Sequence, residues 1–249
     1  MSTWLFDLGN TRLKCAELIG VGDQARLGEV IALPPAGDAI AAALAQVLPP
    51  RIEVAHVASV ADAALRVALL EALAMRCRRI ELARTQPRLA GVTIAYAQPH
   101  KLGVDRFLAL LAAHARARGA VLVCGVGTAL TLDLVAADGT HLGGRIAPSP
   151  TLMREALHQR ALPLAPEGGL YTVFARDTED ALASGCLGSA LALVEQTHQA
   201  ARAMLGAPPR LLLHGGGSAE LLAHLDTAEH VPSLVLDGLV IWASGDRAD

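Results

Sequence analysis

The chain has 249 residues, 53% of them hydrophobic, which is enough apolar surface for one large core or two moderate ones and too much for a disordered chain. A formal charge of -3, with both signs mixed along the sequence, provides no basic field for nucleic acid, and with only 3% aromatic residues stacking on bases is excluded as a general recognition principle. Cys15, Cys77, Cys124 and Cys186 lie far apart, without the spacing of a structural zinc site or a small disulfide scaffold, and fit a reducing cytoplasm.

The first eight residues lack the basic segment and apolar run of a secretory signal, and no stretch reaches the ~20 apolar residues of a membrane span. A cytoplasmic protein with neither a membrane nor a nucleic-acid partner is therefore expected. In chain order, residues 3–8 read as an apolar strand closed by the turn Gly9-Asn10-Thr11, and the alternation from Leu13 to Leu18 reads as its hairpin partner. Residues 26–33 predict a third strand and 38–47 a helix ended by Pro49-Pro50. A buried strand over 52–58, an amphipathic helix over 61–78 and a strand over 79–83 follow. Residues 103–118 have the length and composition of a helix, with Gly119 placed to end it.

There the pattern restarts. Residues 120–124 predict a buried strand, Gly125-Val126-Gly127-Thr128 a glycine turn, 129–136 a second strand, Asp138-Gly139 a hairpin turn and 141–146 a third strand. Helices over 151–160 and 177–205, a strand over 210–214 and the turn Gly215-Gly216-Gly217 follow, with Ser218 as the expected cap of a further helix. Both halves begin with a strand, a Gly and Thr turn and a second strand, so one unit used twice is expected, with domains over 1–118 and 119–249.

Asp7-Leu8-Gly9-Asn10-Thr11-Arg12-Leu13-Lys14 suits a polyphosphate. Gly9 lets backbone N–H groups approach phosphate oxygens, Asn10 and Thr11 add neutral donors, Lys14 adds positive charge and Asp7 is placed to hold Mg²⁺. Read alone, the same segment is equally a plain hairpin turn with a solvated lysine. In the second half Gly127, Thr128 and Thr131 form the matching turn, with Asp133 on the strand after it. A dinucleotide-binding turn would run from strand into helix, whereas a strand follows both turns here, and no glycine loop ends in the Gly-Lys-Ser or Gly-Lys-Thr of a P-loop.

These two turns resemble the phosphate motifs of the acetate kinase, sugar kinase, Hsp70 and actin superfamily. Between them, Tyr96-x-x-Pro99-x-x-Leu102-Gly103-x-Asp105-Arg106 resembles the substrate motif of the type III pantothenate kinases. Gly143-Gly144-Arg145-Ile146-x-Pro148, Thr178-x-Asp180-Ala181-x-x-Ser184-Gly185 and the closing Leu234-Val235-Leu236-Asp237-Gly238-Leu239 carry the resemblance over nearly the whole chain. It implies two similar α/β domains of the ribonuclease H-like type, with mixed sheets flanked by helices and an ATP cleft between them. The implied reaction is ATP-dependent phosphorylation of pantothenate to 4′-phosphopantothenate, the first step of coenzyme A synthesis.

By the same resemblance Asp105 is the general base, and Tyr96, Gly103, Arg106 and Thr178 bind pantothenate. Asp7, Gly9, Asn10, Thr11, Lys14, Gly127 and Thr128 hold the ATP phosphates, Asp7 and Asp133 organise Mg²⁺, and Gly215 to Gly217 lie where the superfamily lays the adenosine. A monovalent cation, K⁺ or NH₄⁺, and a homodimer are implied as well. Two positions depart from the family pattern. Gly125 stands where it has Asp or Asn, and Ser149 where it has Gly after Pro148. The first motivates one rival reading, a regulatory or binding homologue that has lost turnover. The second rival, a kinase of the same fold acting on a sugar or an acetate-like substrate, is opposed by the motif from Tyr96 to Arg106. His56, His114 and His214 are expected in ordinary core or surface roles, with His158 as a candidate for the substrate region.

Overall fold

The computed structural model describes residues 2–34, 39–161 and 164–245. The chain forms two compact units, Met1–Arg116 together with Ser233–Asp249, and Ala117–Pro232.

In the first unit β1 (Thr3–Leu8) pairs antiparallel with β2 (Leu13–Ile19). The expected third strand is split into β3 (Arg26–Leu27) and β4 (Ile31–Leu33), which pair with β2 on either side of Gly28, whose N–H donates to the Glu17 carbonyl. Helix α1 (Ile40–Val47) ends before the two prolines, and the start expected at Asp38 lies outside the described residues. Next come β5 (Ile52–Ser59), α2 (Ala63–Ala74) and β6 (Cys77–Leu82). Helix α2 thus stops short of the expected residue 78. Cys77 pairs with Ile52, and the Ile52 N–H donates to the Arg76 carbonyl, so strand pairing takes residues that the helical pattern had claimed. A small hairpin of β7 (Arg88–Leu89) and β8 (Val92–Thr93), not foreseen, leads to α3 (Val104–Arg116).

The second unit opens with β9 (Val121–Val126), β10 (Ala129–Val135) and β11 (His141–Pro148). Gly125 and Val126 therefore belong to the strand, and the turn narrows to Gly127-Thr128. Helices α4 (Pro150–Arg160) and α5 (Thr178–Leu205), strand β12 (Arg210–His214), the short helix α6 (Ser218–Leu222) and strand β13 (Ala228–His230) complete the unit. Ser218 does not cap α6, whose N-cap is Gly217. Its hydroxyl donates instead to the Gly215 carbonyl at 2.7 Å.

The last helix, α7 (Leu234–Ser244), returns to the first unit and packs along α3 and β1, so the partition differs from the expected 118/119 boundary by this C-terminal segment. Gly238 makes that packing possible, because a Cβ there would run into the Leu108 backbone of α3. The closing motif of the sequence thus sets the seat of α3.

Both sheets share one strand order: β3-β2-β1-β5-β6 in the first unit and β11-β10-β9-β12-β13 in the second. In each, antiparallel pairing leads into a central strand, which pairs in parallel with the next strand, and that one in parallel with the edge. Alternation sorts the faces. Trp4, Phe6 and Leu8 join Ile40, Leu44, Leu69 and Leu73 in one core, which leaves Leu5 and Asp7 on the face covered by α3 and α7. In the second unit Leu122, Cys124, Val126, Leu130 and Leu132 pack on Leu187, Leu191 and Val194 of α5, so Gly125, Thr131, Asp133 and His214 point to the opposite face.

Candidate active site

Alternation along β1 places Asp7 under α3, and the first turn of that helix carries Asp105. The two carboxyls feel one another. Burial raises the Asp7 carboxyl from 3.8 to about 7, the opposite charge of Lys14 pulls it down, and the like charge of Asp105 adds to the rise. Lys14 stands opposite Asp7 in the β1–β2 register. The turn between these strands is closed by the Gly9 N–H donating to the Arg12 carbonyl at 3.0 Å, while Asn10 and Thr11 are exposed. Asn10 accepts from the Asp62 N–H at 3.2 Å, and Asp62 itself caps α2 by accepting from the Leu65 N–H at 2.9 Å. The β1–β2 turn is thereby tied to a helix start, a link that the sequence reading missed.

Asp105 accepts from the Arg106 N–H at 2.8 Å. Gly103 gives that carboxylate its room, since a Cβ on it would sit 2.6 Å from Asp105 Oδ1. Arg106 is only 8% exposed, its guanidinium carbon lies 5.9 Å from the centre of the Tyr96 ring, and its Nη1 donates to the Tyr96 hydroxyl at 3.4 Å. Asp7, Lys14, Tyr96, Gly103, Asp105 and Arg106 thus belong to one region of the first unit: two carboxylates, a lysine, and a guanidinium held against an aromatic ring.

The remaining expected residues lie in the second unit. Gly127 and Thr128 are exposed at the β9–β10 turn, where the Gly127 N–H donates to the Ala129 carbonyl at 2.9 Å. The Gly217 N–H reaches the Val126 carbonyl at 3.0 Å, joining this turn to the glycine run after β12. Gly215 has φ of +97°, and a Cβ on it would meet the Val126 backbone, so only glycine fits. Ser149 is unstrained at φ of −69° and caps α4 by accepting from the Leu152 N–H at 3.2 Å, so the departure at this position is absorbed locally.

Asp133, expected to bind a cation, is 3% exposed, and its Oδ1 lies 3.1 Å from His141 Nε2. Its carboxylate is engaged within the sheet rather than presented at the turn. Thr178 is exposed at the first position of α5, after the N-cap Asp177. The rest of its motif holds the preceding loop: Asp180 accepts from the Leu170 N–H and Ser184 from the Thr172 N–H, both at 2.8 Å. His158 is bound through Nδ1 to the Leu164 carbonyl at 2.7 Å. The four cysteines are free, with Cys15 and Cys124 pushed up to about 11 and about 12 by burial, which leaves them inert as nucleophiles.

Four likenesses to known proteins bear on this geometry. The family model for type III pantothenate kinase matches residues 4–200. A type III pantothenate kinase of Xanthomonas campestris pv. campestris (strain B100) is 54% identical over 248 residues, covering 100% of both chains. Among solved structures, a Baf family protein from Campylobacter jejuni superposes with a TM-score of 0.61 at 20% identity, covering 96% of this chain and 98% of that one. A ROK family glucokinase from Streptomyces griseus superposes with a TM-score of 0.51 at 12% identity, covering 96% and 97%. The fold is the one that actin-like proteins and ROK sugar kinases share.

Proposed function

The chain belongs to the type III pantothenate kinases, and on that premise we propose how its residues divide the work of phosphorylating pantothenate with ATP, the first step of coenzyme A biosynthesis. Asp105 accepts the proton of the pantothenate hydroxyl as that oxygen attacks the γ-phosphorus of ATP. Arg106, pre-set against Tyr96, binds pantothenate with little side-chain freedom left to lose, and Gly103 keeps the pocket wall free of a side chain. Thr178, exposed at a helix start, adds a substrate contact.

Gly9, Asn10, Thr11 and Lys14 in the first unit, and Gly127 and Thr128 in the second, bind the ATP phosphates, the two glycines by leaving room for close approach and the others by supplying donors and positive charge. Asp7 fits a magnesium ion. It is a partly buried carboxylate, made costly to ionise by its burial and by Asp105, and a divalent cation offsets that cost. Magnesium bound there supplies charge neutralisation on the phosphate oxygens. Asp133 does not fit, because His141 engages its carboxylate. Activation by K⁺ or NH₄⁺, a homodimer and a cytoplasmic location complete the proposal. Among the described residues no helix is long and apolar enough to cross a membrane.

The observation that carries this reading is the Tyr96, Asp105 and Arg106 cluster in a chain that matches its family over the full length. The test is a coupled assay for ADP release with and without pantothenate. Release that depends on pantothenate and yields 4′-phosphopantothenate is expected, and release indifferent to pantothenate sinks the reading. Rates in potassium, ammonium and sodium buffers, and light scattering of the pure protein, test the cation and the dimer.

A further inference from the structure

At the end of the second sheet, next to the Gly127-Thr128 turn, three residues stand side by side on one face. Gly125 on β9 is flanked by Thr131 on antiparallel β10 and by His214 on parallel β12. A Cβ built on Gly125 would lie 2.7 Å from Thr131 Oγ1 and 2.9 Å from His214 Nε2. Gly125 does not have a positive φ, so its backbone does not demand glycine. The space above it is taken, by a hydroxyl and an imidazole nitrogen.

The first unit holds the same row in the same strand order. There Asp7 stands two residues before the turn glycine, as Gly125 does in the second unit, flanked by Lys14 on the antiparallel strand and Ala58 on the parallel one. The bulk is exchanged between the two rows. Where the central strand carries a carboxylate, its parallel neighbour is alanine; where the central strand carries glycine, the neighbour is histidine. His214 is also the last residue of β12, directly before the glycine run whose Gly217 N–H holds the Val126 carbonyl of the phosphate turn. It is half-buried.

We propose that His214 is a nucleotide-binding residue, its imidazole lying over Gly125 beside Thr131 and donating a hydrogen bond to the polyphosphate of ATP. This rests on the reading of the Gly127-Thr128 turn as a phosphate site. A row that in the first unit presents an anion to a cation here presents an N–H donor to an anion, and the missing Cβ of Gly125 leaves room for the Nε2 and Cε1 atoms of the ring.

The test uses the full chain with His214→Ala, His214→Gln, Gly125→Ala and the Gly125→Ala/His214→Ala double variant. Titration calorimetry with ADP and a non-hydrolysable ATP analogue is read beside KM for ATP, KM for pantothenate, kcat and a thermal melt. Loss of a hydrogen bond to a charged phosphate predicts a rise of about tenfold or more in KM for ATP in His214→Ala, with KM for pantothenate and the melt little changed. His214→Gln, whose amide nitrogen can reach the place of Nε2, recovers part of the loss. Gly125→Ala displaces the ring and weakens ATP similarly, and the double variant is no worse than His214→Ala alone. An unchanged affinity for ATP in His214→Ala, while the wild type binds ATP, overturns the proposal and leaves the kinase reading standing. So does a loss that follows the melting temperature and is not rescued by glutamine. If His214→Ala does not fold, the glutamine and Gly125→Ala variants decide by the same criteria. A wild type that binds no ATP removes the kinase reading and this proposal together.

Discussion

The β1–β2 and β9–β10 turns, proposed to hold phosphate, sit at the same place in sheets of the same strand order, but they are held by different means. The first, closed by the Gly9 N–H on the Arg12 carbonyl, is tied further by side chains: Asn10 accepts from the start of α2, and Lys14 faces Asp7 across the hairpin. The second is held by backbone, with the Gly217 N–H on the Val126 carbonyl and the Ser149 N–H on the Thr128 carbonyl. A turn fixed by side chains can carry charge and reacting groups, but it depends on each of them. A turn fixed by backbone tolerates substitution wherever no Cβ is added in the wrong place. On the proposed reading chemistry concentrates in the first unit, where α3 brings a second carboxylate to the row, while the second unit offers a backbone cradle.

The sharpest way to break this contrast is Asp105→Asn, which removes the carboxylate that only the first row has. The amide keeps the shape but accepts no proton, so kcat falls by roughly 10²–10⁴-fold with the fold and pantothenate binding retained. Single-turnover kinetics and calorimetry check it, and a near wild-type rate would assign the base elsewhere.

Next in size is a dependence of stability on pH. The folded pKa of Asp7, about 7, exceeds its ordinary 3.8, so the folded state holds a proton that the unfolded chain releases. Its contribution is fully present below pH 3.8 and is lost as pH rises towards 7. Without magnesium or nucleotide, the melting temperature of the wild type should therefore fall more steeply over that window than that of Asp7→Asn. Magnesium with ATP should restore it, since a bound cation favours the ionised form. Parallel curves for the two proteins would show that Asp7 ionises at no cost.

A smaller effect tests the exchange of bulk between the rows. Gly125→Asp transplants the first row into the second, against Thr131 Oγ1 and His214 Nε2. Both obstacles are side-chain ends that can swing aside, so the protein folds, but the displaced ring predicts a KM for ATP raised about tenfold. Adding His214→Ala makes room for the aspartate, and the magnesium concentration for half-maximal rate then drops below that of His214→Ala. A fully active Gly125→Asp single variant would show that the row has room for both side chains.

The smallest expected change is at Ser149. Its cap on α4 is a side-chain bond, whereas its hold on Thr128 is a backbone one that survives substitution. Ser149→Gly should cost a few tenths of a kcal/mol and leave KM for ATP unchanged, by denaturant melts and steady-state rates. A larger loss would mean that the hydroxyl supports the turn itself.

What the sequence determined by itself was whatever local pattern and residue type express. The strand, turn and strand openings of both halves, Asp7 and Lys14 across a hairpin, Asp105 at a helix start, and the resemblance to a kinase family all follow from short stretches read in order. Boundaries failed where distant pairing outbid local preference. Cys77 left a helical pattern because Ile52 was there to pair with it, and Gly125 and Val126 became strand because β10 and β12 flank them. The site was legible in its charged residues and illegible in its neighbours. No spacing rule links Asn10 to Asp62 or Gly125 to His214, since each pair meets only when strands or loops far apart in the chain are set side by side. The same holds for α7, whose Gly238 reads as a weak point in a helix until the backbone of α3 is seen pressed against it. Local periodicity encodes which face a residue shows, whereas what that face meets is decided by packing.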